Sequence, residues 1–194
     1  IDDSFDGLKI VHFSDLHYLR ITNKETTQSI IEEINLLNPD IVVFTGDLID
    51  KDYKPNDKDI SNLKELLTSI KSKYGKYSVL GEHDTKIEDT IKDIYISSNF
   101  TLLDNSYDII YGNNNNKLFI GGLSNNPDID KVMNYFTDNE DINYKIILVH
   151  KPDYIDTITS KYNNINLVLA GHSHNGQINI PYIKKLFLPE GSKK

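Results

Sequence analysis

Short apolar runs recur along the chain, and polar or charged residues follow each of them. The runs cover residues 9–13, 41–45, 77–80, 118–121, 145–149 and 166–170. They are rich in Ile and Val, which is typical of strands that are buried on both faces of a sheet. The pattern therefore predicts strands that lie inside the protein.

Apolar residues at helical spacing lie between several of these predicted strands. One helix is predicted over residues 26–37, and Asn38 and Pro39 end it. A second is predicted over residues 61–73, with Gly75 as its C-terminal cap. Further helices are predicted around residues 87–94, around residues 132–136, and from Pro152 to residue 158.

The alternation of strands and helices indicates an α/β fold. Residues 105–117 differ from the rest and are predicted as a strand or hairpin, with the asparagine run at residues 113–116 in an exposed loop. The chain shows neither an internal repeat nor a linker. We therefore predict a single domain over residues 1–194.

His, Asp and Glu side chains follow five of the predicted strands. In an open α/β sheet, ligands bind beyond the carboxyl ends of the strands, so these segments would deliver their side chains to one place. Imidazole and carboxylate groups suit Mn, Fe, Zn or Co. The candidate metal ligands are Asp15, His17, Asp47, Glu82, His150, His172 and His174.

These donors are too many for one ion, so we predict two divalent or mixed-valence ions that share a carboxylate. Two ions roughly 3.5–4 Å apart can clamp a phosphoryl group for in-line displacement. We expect the Asp-x-His and His-x-His segments to be extended turns, in which alternate residues point the same way. Glycines are expected to allow the sharp turns after three strands. They are Gly46, Gly81 and Gly171.

Three neighbouring residues have more ordinary interpretations. His12 lies inside the first strand and is interpreted as a core histidine or as support for a metal ligand. Asp84 is expected to begin the following helix as a cap or first-turn carboxylate. Arg20, the only arginine in the chain, is interpreted as a solvated surface side chain. Bidentate binding of a substrate phosphate is the alternative for Arg20.

Taken in chain order, these segments resemble the motifs of the calcineurin-like metallophosphoesterase superfamily. Those motifs are D-x-H, G-D-x-x-D, G-N-H-[DE], a single H and G-H-x-H, and they match residues 15–17, 46–50, 81–84, 150 and 171–174. The resemblance extends from residue 8 to about residue 189. Residues 38–42 and 171–177 look like a bacterial branch of membrane-associated phosphodiesterases of the lipid-A-precursor-hydrolase-like type.

The resemblance implies a four-layer αββα sandwich, in which two mixed sheets are flanked by helices. It also implies a dinuclear-metal-dependent phosphoesterase, which we expect to be a phosphodiesterase. In such an enzyme a hydroxide that bridges the two ions attacks phosphorus in line. The expected activity is therefore that of a metal-dependent phosphoric ester hydrolase.

The resemblance also assigns roles by motif position. The ligands implied for the first ion are Asp15, His17, Asp47 and His174. Asp47 would bridge to a second ion, whose other implied ligands are Glu82, His150 and His172. His83 would be the catalytic histidine, and Asp50 would orient it.

Glu82 stands where the family motif has asparagine. Glutamate adds a negative charge, so we expect tighter cation binding and slower hydrolysis. This departure leaves open an alternative, a non-catalytic or weakly active metal-binding or interaction module of the same fold. A zinc-dependent amide hydrolase is a third hypothesis, although its usual ligand pattern cannot be placed on these segments.

Charge and composition exclude several classes of partner and cofactor. The 21 Lys and Arg stand against 29 Asp and Glu, a net charge of −8, which argues against binding along a nucleic-acid duplex. The absence of cysteine excludes Cys-ligated zinc, iron–sulfur clusters and thiol catalysis. We expect a monomer that acts on a small phosphate ester, either a lipid headgroup or a nucleotide-linked compound. The loops at residues 18–23, 51–59 and 175–185 would select it.

Apolar runs along the chain are much shorter than the roughly 20 residues of a membrane-spanning helix. Because the chain begins with Ile1, we expect that an upstream segment was removed and that it was either a signal or an anchor that held the protein to a membrane. A cytoplasmic protein is the alternative. The resemblance also leads us to expect a further short element after residue 194.

Overall fold

Two four-stranded sheets form the centre of the protein in a computed structural model, which describes residues 5–112, 116–137, 142–162 and 164–174. The strands of the first sheet are, in spatial order, β1 (Ile10–Phe13), β2 (Ile41–Phe44), β3 (Gly75–Ser78) and β4 (Phe100–Leu102). Those of the second sheet are β5 (Ser106–Tyr111), β6 (Lys117–Gly122), β7 (Ile142–Val149) and β8 (Leu167–Ala170).

Helices connect most of the strands. The first sheet carries α1 (Lys24–Leu36), α2 (Asp57–Thr68), and a 3₁₀ helix (His83–Ile87) that leads into α3 (Glu88–Ser97). The second sheet carries α4 (Ile129–Thr137) and α5 (Tyr154–Lys161). In the described part of the chain, no helix is both long enough and apolar enough to span a membrane.

Alternate residues of each central strand face different layers, as period-2 geometry requires. In β2, Ile41 and Val43 pack against the second sheet, whereas Val42 and Phe44 pack against the helices of the first. In β7, Ile146 and Leu148 face the first sheet, while alternate residues of the same strand pack with α4 and α5. The predicted four-layer αββα architecture is therefore confirmed.

The two sheets differ in strand direction. All four strands of the first sheet run parallel, whereas β5 runs antiparallel to β6 in the second sheet and β6, β7 and β8 are parallel. The expectation that both sheets are mixed is therefore wrong for the first sheet. A helix separates each pair of consecutive strands there, and such crossovers return the chain in the same direction.

Two predicted features of the second helix are wrong. α2 begins at Asp57 rather than at residue 61, because Asn56 and Asp59 form a capping box at its start. Gly75 does not cap this helix, which ends at Thr68, but opens β3 with a φ of +142°. The backbone N–H of Tyr74 donates to the Asp40 carbonyl, and this contact aligns the segment with β2.

Other boundaries follow the prediction more closely. The predicted hairpin is the β5–β6 pair, while residues 113–115 of the asparagine run lie outside the described residues. The helix expected from Pro152 begins at Tyr154. β4 was not predicted, since three residues are too few to show an alternating pattern. That residues 1–194 form a single domain stays a prediction.

Candidate metal centre

Loops that follow β1, β2, β3, β7 and β8 bring the predicted donors to one edge of the two sheets. Among the described residues, three groups have donor atoms that all lie within 4.8 Å of one another. These groups are Asp15/His17/His174, Asp47/His150/His172 and His17/Asp47/His83. Every predicted metal ligand except Glu82 is in the first two groups, which we call the first and second triads.

The Asp47 carboxylate belongs to the second triad and also faces the first. Its Oδ2 is 3.7 Å from His17 Nε2 and 3.3 Å from His150 Nε2. Its Oδ1 accepts the backbone N–H of His83 at 2.8 Å. Burial raises the pKa of Asp47, but the contacts with His150 and His83 outweigh burial and lower this pKa to about 2. The side chain is therefore an anion near neutral pH that faces one histidine of each triad.

The position of the proton on the His150 ring determines whether a proton or a lone pair faces the Asp47 carboxylate. Its Nδ1 lies 2.7 Å from the carbonyl oxygen of Thr45, and because a carbonyl oxygen only accepts, Nδ1 carries the proton. In a neutral ring, Nε2 then directs a lone pair at the Asp47 carboxylate. Two such electron-rich groups repel unless a proton or a metal ion lies between them. This donor arrangement fits a cation.

The first triad has the spacing of ligands that share an ion. His17 Nε2 and His174 Nε2 are 3.2 Å apart, and His174 Nε2 is 3.4 Å from Asp15 Oδ1. Two ligand atoms that each lie about 2.1 Å from one ion are separated by roughly 3–3.5 Å. Behind the triad, Asp50 Oδ2 is 3.4 Å from His17 Nδ1, the usual place for a carboxylate that orients a ligating histidine.

The turns that carry these side chains are not extended, contrary to the prediction. Asp15, His17, Asp47, His172 and His174 all have positive φ, between 41° and 64°. The left-handed region costs a non-glycine residue about 1–2 kcal/mol, and such residues concentrate at functional sites. Asp15 and His17 both direct their side chains to the first triad, whereas His172 joins the second triad and His174 the first.

The three glycines serve two different purposes. Gly46 has a φ of +95°, so its prediction as a turn glycine is confirmed. Gly81 and Gly171 are not among the residues with positive φ, so there the prediction is wrong. A Cβ on Gly81 would lie 2.1 Å from the Asp47 backbone nitrogen, and one on Gly171 would lie 2.1 Å from Ser14 Oγ. Close approach of the loops requires these two glycines.

His83 and Asp50 are in contact, as the motif resemblance implies. Asp50 Oδ2 lies 3.3 Å from His83 Nδ1, and the backbone N–H of Lys51 donates to the same nitrogen at 3.2 Å. Arg20 donates to Asp50 Oδ1 at 2.8 Å. Burial raises the pKa of Asp50, but the Asp52 backbone N–H and Arg20 outweigh it and lower this pKa. Asp50 is therefore an anion in contact with two site histidines.

A cavity of about 460 Å³ opens beside the first triad. It is lined by His17, Arg20, Ile21, Asp50, Lys51, Asp52, His83 and His174. Arg20 is exposed, as interpreted from the sequence, and it also pairs with Asp50 and Asp52 at the wall of this cavity. Two of the loops predicted to select the substrate, at residues 18–23 and 51–59, contribute Arg20, Ile21, Lys51 and Asp52 to the cavity wall. The third, at residues 175–185, lies outside the described part of the chain.

Glu82 lies next to the second triad but is not one of its members. Its Oε2 is 4.0 Å from His172 Nε2 and 3.0 Å from Lys151 Nζ. The hydrogen bond from Lys151 lowers the pKa of Glu82 and outweighs burial, which raises it. Sequence reasoning missed Lys151, although its position directly after His150 was a signal that it lies at the site.

Asp84 has a larger role than that of a helix cap. It is fully buried, and its Oδ2 accepts the backbone N–H groups of Gly81 and Asp47 while Oδ1 accepts that of Leu48. Burial raises its pKa to about 6, although these backbone N–H groups favour the anion. Asp84 thereby joins the loops after β2 and β3, which sequence reasoning missed. Its place inside the G-x-H-D motif was the available signal.

His12 is exposed, so its interpretation as a core histidine is wrong. The side chain lies on the sheet edge beside the site, and its Nε2 is 2.8 Å from Thr45 Oγ1. Thr45 Oγ1 also donates to Ser14 Oγ at 2.8 Å. The other interpretation of His12, as support for a metal ligand, stays a prediction.

Several relatives resemble this chain in sequence, and a solved structure resembles it in fold. The uncharacterized metallophosphoesterase YkuE of Bacillus subtilis is 33% identical over 201 residues, which cover 100% of this chain and 67% of YkuE. A transmembrane protein with metallophosphoesterase domain from Danio rerio is 28% identical, over 92% of this chain and 43% of that protein. The chain thus spans two thirds or less of these relatives.

Two further comparisons concern substrate class and fold. The UDP-2,3-diacylglucosamine pyrophosphatase LpxG of Chlamydia muridarum is 27% identical over 224 residues, covering 92% of this chain and 67% of LpxG. The crystal structure of the calcineurin-like phosphoesterase YfkN from Bacillus subtilis matches with a TM-score of 0.56 at 15% identity, over 90% of this chain and 74% of that one. The second match supports the fold alone.

The family model for calcineurin-like phosphoesterases matches residues 8–176, which is most of the chain. Both the motif resemblance and the prediction of a metal-dependent phosphoric ester hydrolase are confirmed at the level of the family. The chain belongs to the calcineurin-like phosphoesterase family.

Proposed function

We propose that this protein is a phosphodiesterase that uses two metal ions held at the two triads. The proposed ligands of the first ion are Asp15, His17, Asp47 and His174. Those of the second are Asp47, His150 and His172, with Glu82 at its margin. The observation that carries the proposal is the position of Asp47, whose Oδ2 lies within 3.7 Å of a histidine nitrogen in each triad.

When bound, the two ions would supply a hydroxide nucleophile at neutral pH and neutralise charge on the phosphoryl oxygens. The chain's own part is to hold those ions with imidazole and carboxylate groups, a donor set that suits Mn, Fe, Zn or Co. Asp47, His17 and His150 are nearly inaccessible to solvent. Their burial strengthens electrostatic attraction for a cation and limits competition from water.

His83 is proposed to donate a proton to the leaving group or to stabilise charge on the phosphoryl oxygens. The backbone N–H of Lys51 donates to Nδ1, which leaves the ring proton on Nε2 in the neutral form. Asp50 is proposed to position the ring, since its Oδ2 lies 3.3 Å from Nδ1. His83 also lines the open cavity, where a leaving group can reach it.

The substrate is proposed to be a small phosphodiester or pyrophosphate, either nucleotide-linked or part of a lipid headgroup. Arg20 and Lys51 line the cavity together with Asp50 and Asp52, and exposed Ile21 adds an apolar surface. With metal ions bound beside it, this cavity would suit a substrate with both anionic and apolar parts. The relative LpxG is named as a UDP-2,3-diacylglucosamine pyrophosphatase, and that activity is of this class. A monomeric state and association with a membrane stay predictions.

A second candidate function is a metal-binding or interaction module with little activity. The observation that favours it is Glu82, which lies outside both triads and is held by Lys151. The presence of His83 beside an open cavity favours the enzyme instead, because a module that only binds metal has no use for a proton donor there.

Hydrolysis assays on metal-loaded protein separate these candidates. Protein loaded with Mn²⁺ is expected to hydrolyse bis-p-nitrophenyl phosphate faster than p-nitrophenyl phosphate, and to leave p-nitroacetanilide, an amide, intact. Chelator-treated protein and Asp47→Asn are the matched controls and should be inactive. UDP-diacylglucosamine tests the lipid-linked class. Two bound ions with no hydrolysis of any phosphate ester would favour the module, and hydrolysis of the amide alone would contradict the phosphoesterase.

A further inference from the structure

Glu82 and Lys151 connect the two sheets at the rim of the metal centre. Glu82 follows β3 in the first sheet and Lys151 follows β7 in the second, yet Glu82 Oε2 and Lys151 Nζ are 3.0 Å apart. The Glu82 side chain is 49% exposed and that of Lys151 is 23% exposed. The contact is therefore partly screened by water, and the ammonium group is the better covered of the two partners.

This ion pair lies directly beside the second triad. Glu82 Oε2 is 4.0 Å from His172 Nε2, and Lys151 is the residue that follows His150 in the chain. The carboxylate is thus close enough to act on a cation held by Asp47, His150 and His172. It is also close enough to Lys151 for the two charges to oppose each other's effect on that cation.

The charge of the pair differs from the charge of Glu82 alone. A lone carboxylate beside a divalent ion attracts it strongly, whereas a carboxylate and an ammonium 3.0 Å apart act on that ion mainly as a dipole. An asparagine at position 82, as in the family motif, would also be uncharged. Lys151 thus removes the excess negative charge that the sequence alone led us to expect from Glu82.

We propose that Lys151 neutralises the Glu82 carboxylate, so that the pair as an uncharged unit sets the metal affinity of the second triad. This inference rests on the proposed function, since it assumes that an ion binds among Asp47, His150 and His172. Lys151 is a positioning residue in this scheme because it acts through Glu82. A consequence is that removal of either charge alone disturbs the site, in opposite directions.

Mn²⁺ binding to metal-free protein, measured by titration calorimetry, tests the pair. The binding step that His172→Ala removes identifies the second triad. There, Lys151→Met is expected to tighten binding on the order of tenfold, and Glu82→Gln to weaken it by a similar factor, as expected for one unpaired charge near a divalent ion. The double variant should return to within about twofold of the parent protein, since both charges are gone.

Two matched controls separate a local effect from a change in net charge. Lys64→Met and Asp93→Asn change the charge by the same amounts in an ion pair between α2 and α3. Neither is expected to change the affinity for Mn²⁺ at the second triad. Melting curves of the metal-free proteins check that every variant is folded, and Glu82→Asn and Lys151→Gln replace any variant that is not.

The outcomes distinguish this inference from the proposed function. If the parent protein binds no metal, both fail. If the parent binds two ions, the inference alone fails in any of three cases: either single variant leaves the affinity unchanged, both shift it in the same direction, or the double variant keeps one of the single defects. Equal shifts in the control variants would also overturn it.

Discussion

The Asp84 carboxylate supports the loop that carries Asp47, because its buried Oδ2 accepts the Asp47 backbone N–H at 3.0 Å. The same oxygen accepts the Gly81 N–H at 2.8 Å, and Oδ1 accepts that of Leu48 at 2.9 Å. One carboxylate thereby fixes the ends of β2 and β3 relative to each other. It also helps to hold Asp47, which faces a histidine of each triad, in its left-handed conformation.

Replacing this carboxylate by an amide should loosen the metal centre. In Asp84→Asn, one oxygen becomes an NH₂ group, which cannot accept the N–H groups that it faces. We expect a loss of about 1–3 kcal/mol in the free energy of unfolding, since buried unsatisfied donors cost about that much and the loss of a buried charge offsets part of the cost. Urea unfolding of the metal-free proteins measures the difference.

Asp89→Asn is the matched control for Asp84→Asn. Asp89 is an exposed carboxylate in the first turn of α3, so the same chemical change there should alter the stability by no more than about 0.5 kcal/mol. Equal stabilities of the Asp84 variant and the parent protein would show that this carboxylate does not hold the loops.

Removal of the Asp47 side chain should empty both metal positions. Asp47→Ala deletes the oxygen that faces His17 in one triad and His150 in the other. Elemental analysis after metal loading and gel filtration is expected to find two ions in the parent protein and none in the variant. Asp52→Ala, a change at an exposed carboxylate a few residues away, should keep both ions. An unchanged metal content in Asp47→Ala would contradict the assignment of Asp47.

The loss of His83 should affect rate rather than metal content. His83→Ala is expected to keep two ions and to lose roughly 10²–10⁴-fold in the rate of bis-p-nitrophenyl phosphate hydrolysis, the range for a positioned acid. Because His83 also lies in a group with His17 and Asp47, metal content is the deciding measurement. A variant that lost one ion would identify His83 as a ligand instead, and full activity would exclude both roles.

Lys76 should make stability rise with pH in the alkaline range. It is buried in β3, its Nζ donates to the Leu67 carbonyl at 2.9 Å, and burial lowers its pKa from 10.5 to about 8. Between these two values the unfolded chain holds a proton that the folded chain has lost. The contribution of Lys76 to the free energy of unfolding therefore increases as the pH rises from 8 to 10.5.

A comparison of variants isolates this contribution of Lys76. In Lys76→Met the rise should disappear, so the parent protein should gain up to about 3 kcal/mol relative to this variant between pH 8 and 10.5. Lys58→Met, at an exposed position of α2, should show the same pH dependence as the parent protein. Denaturant unfolding at several pH values gives the result. Parallel curves for the parent protein and Lys76→Met would contradict the prediction.

Strands and helices could be predicted wherever a long apolar pattern was present. Buried strands such as β2 and β7 consist largely of Ile and Val, and α3 buries Ile91 and Ile94 at helical spacing. The element boundaries that were mispredicted depend on hydrogen bonds of polar groups, which the apolar pattern does not show. The capping box of Asn56 and Asp59 sets the start of α2. Gly75 begins β3 because the backbone N–H groups just before it donate to the Asp40 carbonyl and align the segment with β2.

The sequence by itself determined an α/β fold and which histidines and carboxylates follow the strands, because these depend on local pattern and order, and its motifs carried the family resemblance that implied the αββα layers. Tertiary structure alone decided which of those side chains meet. It brought Lys151 to Glu82 and Asp84 beneath Asp47, contacts that span 69 and 37 residues of chain. Such contacts form only when separate loops converge at one sheet edge, so no local pattern encodes them. They determine the charge and the geometry that a metal ion would meet.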